Sequence, residues 1–555
     1  MLPRSEAVAA LIRESFDVLV IGGGITGAGV ALDAATRGYS VALIERADYA
    51  SGTSSRSSKL VHGGLRYLQS FDVGLVREAL LERQINVNLA PHLVTPLPLV
   101  VPAFDGARPD RMVGLGLNMY DVLAVERLRR SPLRRRLARE DADWSPARHR
   151  VISAAEVAAL VPALERRTLS GGYLFYDCQT DDARLVLTVL AEACRFGAIC
   201  ANRLEALELL EHDGRAIGAL ALDRETGAEL ELRATHVVNA TGVWADRLRP
   251  HELRDEAEVP RIRPSRGTHL LVESAALPMQ AGAIVPAGGG RTIFVLPWLG
   301  RTLIGTTDED YDGPLDHVAP DPGDVDYLLA ATNAFFATTL TSADVVGAYA
   351  GVRPLIASGD KGTSVDISRK AELYETSSGM VTITGGKLTT WRRMAKLAVD
   401  RVAEQDGLDL PCRTHALPLG LPIEPERLAR VAGVDERAGV QLAGRYGHVA
   451  ADVLALAAER PELARPIVAG MPDLTAEIVH AARHEQARTV GDALLRRTRL
   501  GLTAARSLLS GGGDGAIERV ADVLGGELGW DPERRRRESA AFREEAAGEG
   551  ILPAP

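Results

Sequence analysis

Along residues 16–68 the spacing of apolar and polar positions changes period twice. A continuous apolar run from Phe16 to Ile21 gives way to helical spacing from about Ile25 to Arg37, and a second apolar run follows from Ser40 to Ile44. That alternation predicts a strand–helix–strand unit. Residues 72–90 carry helical spacing that Pro91 stops, whereas HLVTPLPLVVPAF is apolar but proline-rich, which fits an edge strand or a packed loop. Helical patterns recur at residues 111–123, 154–165 and 181–196. Residues 214–248 read as a hairpin turning at Glu225 to Gly227, then a strand ending in Asn239-Ala240-Thr241-Gly242. Between Arg261 and Val381 short strand-like runs alternate with turns, an antiparallel pattern. Residues 380–402 return to strand, glycine turn and helix. Beyond Pro411 the chain is rich in Ala, Leu and Arg and repeatedly helical, which predicts a separate helical domain and then a disordered charged tail.

The chemistry of the opening unit lies in its turn. Gly22, Gly24 and Gly27 occupy the positions G-x-G-x-x-G. The first glycine permits the tight turn, the second lets backbone approach a pyrophosphate, and the third lets helix and strand pack closely. Glu45 ends the second strand, where a carboxylate can accept hydrogen bonds from a ribose diol. A glycine turn alone is common; strand, helix, second strand and acid in the right order predict a dinucleotide site. The late GGKLTT turn is not a phosphate-binding loop of the nucleotide-triphosphatase type, because Leu388 follows Lys387 where Ser or Thr is required.

A chain of 555 residues exceeds what one core organises, so two or three domains are expected. The net charge of -10 argues against general nucleic-acid binding. Four cysteines, Cys178, Cys194, Cys200 and Cys412, make neither a disulfide framework nor a C-x-x-C pair, so reduced structural thiols and no metal site are expected. Residues 1–15 do not read as a signal peptide, and no window supplies a spanning helix. The basic run from Arg127 to Glu140 has two readings: a solvated face, or, beside the apolar RMVGLGLNMYDVLAV, a patch for an anionic membrane surface.

The runs TSSRSSKLVHGGLRYL, NATGVWAD, RGTHLL, FVLPW, IGTTD, AGVRPL, GGKLTTWR and DALLRRT resemble FAD-dependent glycerol-3-phosphate dehydrogenase over about residues 16–505. The resemblance implies an α/β fold with a doubly wound, Rossmann-like FAD-binding domain of the glutathione-reductase and D-amino-acid-oxidase type. An antiparallel-sheet substrate domain and a C-terminal helical domain complete it. The expected division is 14–72 with about 150–255 and 345–405 for FAD, and about 73–149 and 256–344 for substrate. The cap is placed at 406–530 and the tail at 531–555.

For the cofactor the expected residues are Gly22, Gly24, Gly27, Glu45, Thr53, Ser54, Ser55, Ser58, Lys59, His62, Gly63, Gly64, Gly242, Gly386, Leu388 and Thr389. The polar loop after Glu45 offers hydroxyl and backbone donors, and the helix after Gly386 would favour an anionic reduced flavin by about 0.3–2 kcal/mol. For a phosphomonoester, Arg353 and Arg369 supply planar cationic forks, with Arg66, Tyr67 and Lys387 completing the pocket. Arg369 also has the plain reading of a surface salt bridge. A base must take the substrate's hydroxyl proton; His269 is the first candidate and His62 the second. The catalytic set is thus His269, Arg353 and Lys387. The implied reaction is hydride transfer from sn-glycerol 3-phosphate to FAD, giving dihydroxyacetone phosphate. Electrons would pass to a membrane quinone from a cytoplasmic protein attached to the inner face of the membrane, with a homodimer as the expected assembly. The alternatives are an oxidase using oxygen and a flavin-binding membrane-associated protein without turnover.

Overall fold

The computed structural model describes residues 1–64, 72–130, 148–248, 261–357, 371–509 and 515–553. Arg66, Tyr67, Arg369 and most of the basic run 127–140 lie outside them.

The strand Ser15–Ile21 sits in the middle of an eight-stranded sheet, paired in parallel with Glu229–Asn239 on one side and Val41–Ile44 on the other. Val381–Gly385 and Ile199–Ala201 continue the parallel order outward. Ala371–Glu375 closes one edge antiparallel, and the hairpin of Leu204–His212 with Arg215–Asp223 joins the start of Glu229–Asn239. Parallel strands are covered on both faces, which is why Val18, Leu19, Val20 and Ile21 form an unbroken apolar run. The helices Ile25–Thr36, Asp182–Arg195 and Trp391–Gln405 supply one cover. A Cβ on Gly29 would lie 2.7 Å from the Trp391 ring, so only glycine lets two of those helices come together.

The second sheet has ten strands and is antiparallel except where Gly282–Pro286 runs parallel to Thr95–Phe104. That pairing corrects the expected edge strand: Thr95–Phe104 lies between Gly282–Pro286 and Leu169–Gln179. Pro96, Pro98 and Pro102 fall at alternate positions, so their missing donors all lie on one side of the strand and the other side keeps its full set. Leu169–Gln179 and Val345–Ala357, expected in the nucleotide domain, belong to this second sheet. Strand-like residues carry no mark of which sheet they join.

The C-terminal helices form the expected helical domain, which packs on the second sheet: Leu494, Leu502 and Leu524 share one core with Leu271, Leu296, Trp298 and Tyr349. One further expectation is corrected. The tail is not disordered: Pro532–Gly548 is an α-helix, capped by Asp531, that buries Ser539, Phe542 and Ala546. Its charge hid only three inward positions. After it, Ile551 accepts a 2.7 Å hydrogen bond from Ala348 N–H in the strand Val345–Ala357.

Candidate active site

The parallel strands end where the chain leaves Ser15–Ile21 toward opposite sides of the sheet, the place where open α/β sheets bind ligands. A cavity of about 360 Å³ opens there, lined by Gly22, Gly24, Glu45, Thr53, Ser54 and Gly242. A second, of about 500 Å³, reaches from it under the second sheet and is lined by Ser58, His62, Gly64, His269, Arg353 and Thr389. Both include Ile25, Thr53, Ser54, Gly386, Lys387 and Leu388 in their walls, so they form one continuous cleft.

The first cavity is built by the glycine turn. Gly22 has φ +115, and a Cβ there would meet the Ala240 carbonyl oxygen at 2.6 Å. At Gly27 a Cβ would lie 1.8 Å from the Gly22 carbonyl oxygen, so this glycine serves helix packing and does not line the cleft. Ser54 Oγ accepts from Ile25 N–H at 2.9 Å and anchors the polar loop to the first turn of the helix. The Glu45 carboxylate accepts from Gly23 N–H and Ala47 N–H, both at 2.8 Å. Burial raises its pKa, and those two bonds oppose the rise. Arg46 stacks 4.7 Å above Trp244 at the rim.

The second cavity brings together residues remote in sequence. Arg353 donates to Asp308 Oδ1, Thr306 Oγ1 and the Thr307 carbonyl, each at 3.2 Å. Those partners hold a cation against the cavity wall with its fork oriented. His269 lies on the neighbouring strand of the same sheet, 2% exposed, with its ring stacked 4.7 Å from Tyr349 and Nε2 at 2.9 Å from Ser58 Oγ. Desolvation, then the charges of Lys59 and Arg353, hold its pKa well below 6.5, against a hydrogen bond to the Gly267 backbone. The imidazole is therefore neutral and able to accept a proton. Thr389 Oγ1 is bonded to both backbone groups of His62, at 3.1 and 3.3 Å, which ties the late turn to the early loop. Lys387 lines both cavities. Apolar residues, including Leu99, Val113, Phe175 and Phe294, line the rest of the second cavity.

Besides Gly27, three expected cofactor residues lie outside the cleft. Lys59 is fully buried behind the loop, bonded to Asp182 and to the Ser55 carbonyl. Its pKa is lowered to about 7, chiefly by desolvation. Ser55 is buried beside it and turns its carbonyl to the same cluster. Gly63 is packed so that a Cβ would strike Leu80 and Tyr120, and its N–H donates to Tyr120 Oη at 2.8 Å. Nothing in the run TSSRSSK states which side of the loop each residue takes.

Residues 17–401 match the family model "FAD dependent oxidoreductase", and residues 412–535 match "C-terminal domain of alpha-glycerophosphate oxidase". A glycerol-3-phosphate dehydrogenase of Mycobacterium leprae is 38% identical over 550 residues, covering 98% of this chain and 90% of its own. The chain belongs to the FAD-dependent glycerol-3-phosphate dehydrogenase family. A mitochondrial member from Arabidopsis thaliana is 36% identical over 579 residues, covering 97% of this chain and 87% of its own. The crystal structure of the Bacillus halodurans glycerol-3-phosphate dehydrogenase complexed with FAD superposes with a TM-score of 0.77 at 30% identity, covering 100% of this chain and 98% of that one.

The cleft suits the family's cofactor. Gly24 and Gly242 bare backbone to the first cavity, and at Gly242, with φ +60, a Cβ would meet nothing within 4 Å. Glu45 faces the same space. FAD would lie with its nucleotide end against these residues and its ring system near Gly64, Gly386 and Leu388. Sequence reasoning missed Asp308, Thr306 and Gly267, which shape the setting of Arg353. Gly267 sits on the strand Arg261–Glu273, and Thr306 and Asp308 in the loop between Arg301–Gly305 and Glu309–Asp310, which strand pairing alone brings beside it.

Proposed function

We propose that this protein oxidises sn-glycerol 3-phosphate to dihydroxyacetone phosphate and passes the electrons to a membrane quinone. The observation that carries the reading is the pair that two neighbouring strands bring into the second cavity: a fixed guanidinium, Arg353, and a buried neutral imidazole, His269. Arg353 binds the phosphate through its planar fork, and Lys387 orients the hydroxyls from the junction of the two cavities. His269 takes the proton of the C2 hydroxyl through the Ser58 hydroxyl, which receives it and passes its own to Nε2 as the carbonyl forms, while the C2 hydrogen leaves with its electron pair. FAD, when bound, supplies the acceptor for that hydride. The buried walls keep water from the reacting carbon.

A quinone acceptor and attachment to the inner membrane face are supported by the helix Arg111–Arg130. Val113 of this helix lines the second cavity, while Met112, Leu115, Met119 and Val122 point outward, 74%, 56%, 37% and 59% exposed. Their spacing makes one apolar stripe along the helix. Among the described residues no helix is long and apolar enough to cross a membrane.

The reading is tested with the FAD-loaded protein under anaerobic conditions. Glycerol 3-phosphate should bleach the flavin absorbance, and a water-soluble quinone should restore it faster than oxygen does. A folded, FAD-loaded preparation that glycerol 3-phosphate leaves yellow would overturn the substrate. Faster recovery with oxygen would overturn the acceptor.

A further inference from the structure

The segment Asp492–Arg497 of the helical domain is a π-helix, and the two residues after it end in Arg499, held at φ 66. Its buried arginines bond within their own domain, Arg496 to Asp492 and Arg497 to the Glu485 carbonyl, and also reach out of it. Arg496 and Arg497 bond to Asp48, in the loop that follows Glu45. Arg499 Nη2 donates to Asp182 Oδ1 at 2.8 Å and to the Ser55 carbonyl at 3.0 Å. Lys59, also in the left-handed region at φ 60, donates to the same carboxylate at 2.8 Å and the same carbonyl at 2.6 Å. Two bulky residues hold that conformation only where their surroundings over-determine it.

The carboxylate of Asp182 has a second task. Oδ2 accepts from Ser57 N–H at 3.0 Å and from Ser57 Oγ at 2.7 Å. Tyr349 Oη donates to the Ser57 carbonyl at 2.7 Å, so both backbone groups of that residue are fixed. The next residue is Ser58, whose hydroxyl meets His269 Nε2, and the ring that stacks on His269 is Tyr349 itself. A continuous set of bonds therefore runs from Arg499 through Asp182 and Ser57 to the two groups that orient the imidazole.

We propose that Arg499 of the helical domain and Asp182 are positioning residues for His269, acting through Ser57, Ser58 and Tyr349. The helical domain is thus part of the catalytic apparatus and not only a cover. This inference rests on the proposed role of His269, and it predicts that loosening the far end of the chain displaces the imidazole without touching substrate or flavin.

The experiment compares wild type with Arg499→Met, Arg499→Lys, Ser58→Ala and the double variant R499M/S58A, all FAD-loaded. Arg499→Met should lower the rate of flavin reduction by about 10–100-fold, with KM for glycerol 3-phosphate and FAD content within about 2-fold of wild type, and Arg499→Lys should recover part of the loss. The double variant should be no slower than the worse single variant. In ¹⁵N-histidine spectra, the resonance that His269→Asn removes should shift in Arg499→Met. Unchanged rate and resonance in a folded Arg499→Met, or losses that simply add in the double variant, would overturn the inference. If Arg499→Met does not fold, Ser57→Ala decides: it keeps the N–H bond to Asp182, and an unmoved His269 resonance there overturns the chain of contacts. The resonance is read without substrate, so a wild type inert to glycerol 3-phosphate fails the functional reading separately.

Discussion

Arg353 and Gly267 are matched: a Cβ on Gly267 would stand 2.5 Å from Arg353 Nη2. The missing side chain is what lets the guanidinium lie flat against Thr306 and Thr307. Arg353→Ala should raise KM for glycerol 3-phosphate by roughly 10–100-fold, the loss of one charge-assisted contact of about 1.5–3 kcal/mol. Gly267→Ala should reproduce much of that effect with the arginine still present. Steady-state kinetics on both variants checks the pairing, and an unchanged KM in Gly267→Ala contradicts it.

His269 is neutral for reasons of burial and nearby positive charge. Its protonation would remove the base, so the acid limb of kcat/KM should lie well below pH 6.5. His269→Ala should lower kcat by roughly 10²–10⁴-fold, the usual contribution of a positioned base. A pH profile that already falls from pH 7 downward, and persists in that variant, would assign the limb to another group.

Cofactor retention should depend on the glycine turn. Gly27→Ala places a methyl within 1.8 Å of the Gly22 carbonyl, and no flexible side chain is there to give way. The variant should purify with little or no flavin, measured as the ratio of 450 nm to 280 nm absorbance. Gly24→Ala meets only Ser54 Oγ at 3.0 Å and should retain more.

Acid stability should report the joint between the domains. Arg184 and Glu485 form a buried pair, and despite desolvation the charge of Arg184 lowers Glu485 to about 2. A carboxylate depressed in the fold stabilises it fully above its ordinary value near 4.5, and that contribution fades as pH falls toward 2. Glu485→Gln should lose on the order of 3–5 kcal/mol at neutral pH, because it leaves Arg184 unpaired. The gap from wild type should narrow as pH drops from 4.5, as denaturant melts at several pH values would show.

Membrane attachment is tested on the helix Arg111–Arg130. Replacing Leu115 and Val122 with Asp should release the protein from anionic vesicles in a flotation assay while leaving flavin reduction in solution intact. Charge reversal at Arg129, Arg130, Arg134 and Arg135 should do the same and weaken binding most at low salt. Unaltered flotation in both would remove this face from the contact.

What could be read from the sequence was what is local. The turn at Gly22, Gly24 and Gly27 and the acid at Glu45 are set by spacing within one unit, and the structure puts Gly22, Gly24 and Glu45 around one cavity with Gly27 packed behind them. His269 and Arg353 could be named from their surrounding runs, but not the fact that they line one cavity, because that depends on how two strands pair. Lys59 was misplaced since a polar loop gives no periodicity to separate its two sides. Arg499 was invisible for a different reason: its partner, Asp182, is 317 residues away, and in a run rich in arginine nothing distinguishes a buried cation from a solvated one.

The bond from Ala348 N–H to the Ile551 carbonyl also sets an order of events. The strand that carries Arg353 and the ring of Tyr349 is completed by backbone some 200 residues further on. Until Ile551 is in place the Ala348 donor lacks this partner, so the backbone beside Arg353 and Tyr349 is closed only once that downstream segment has docked.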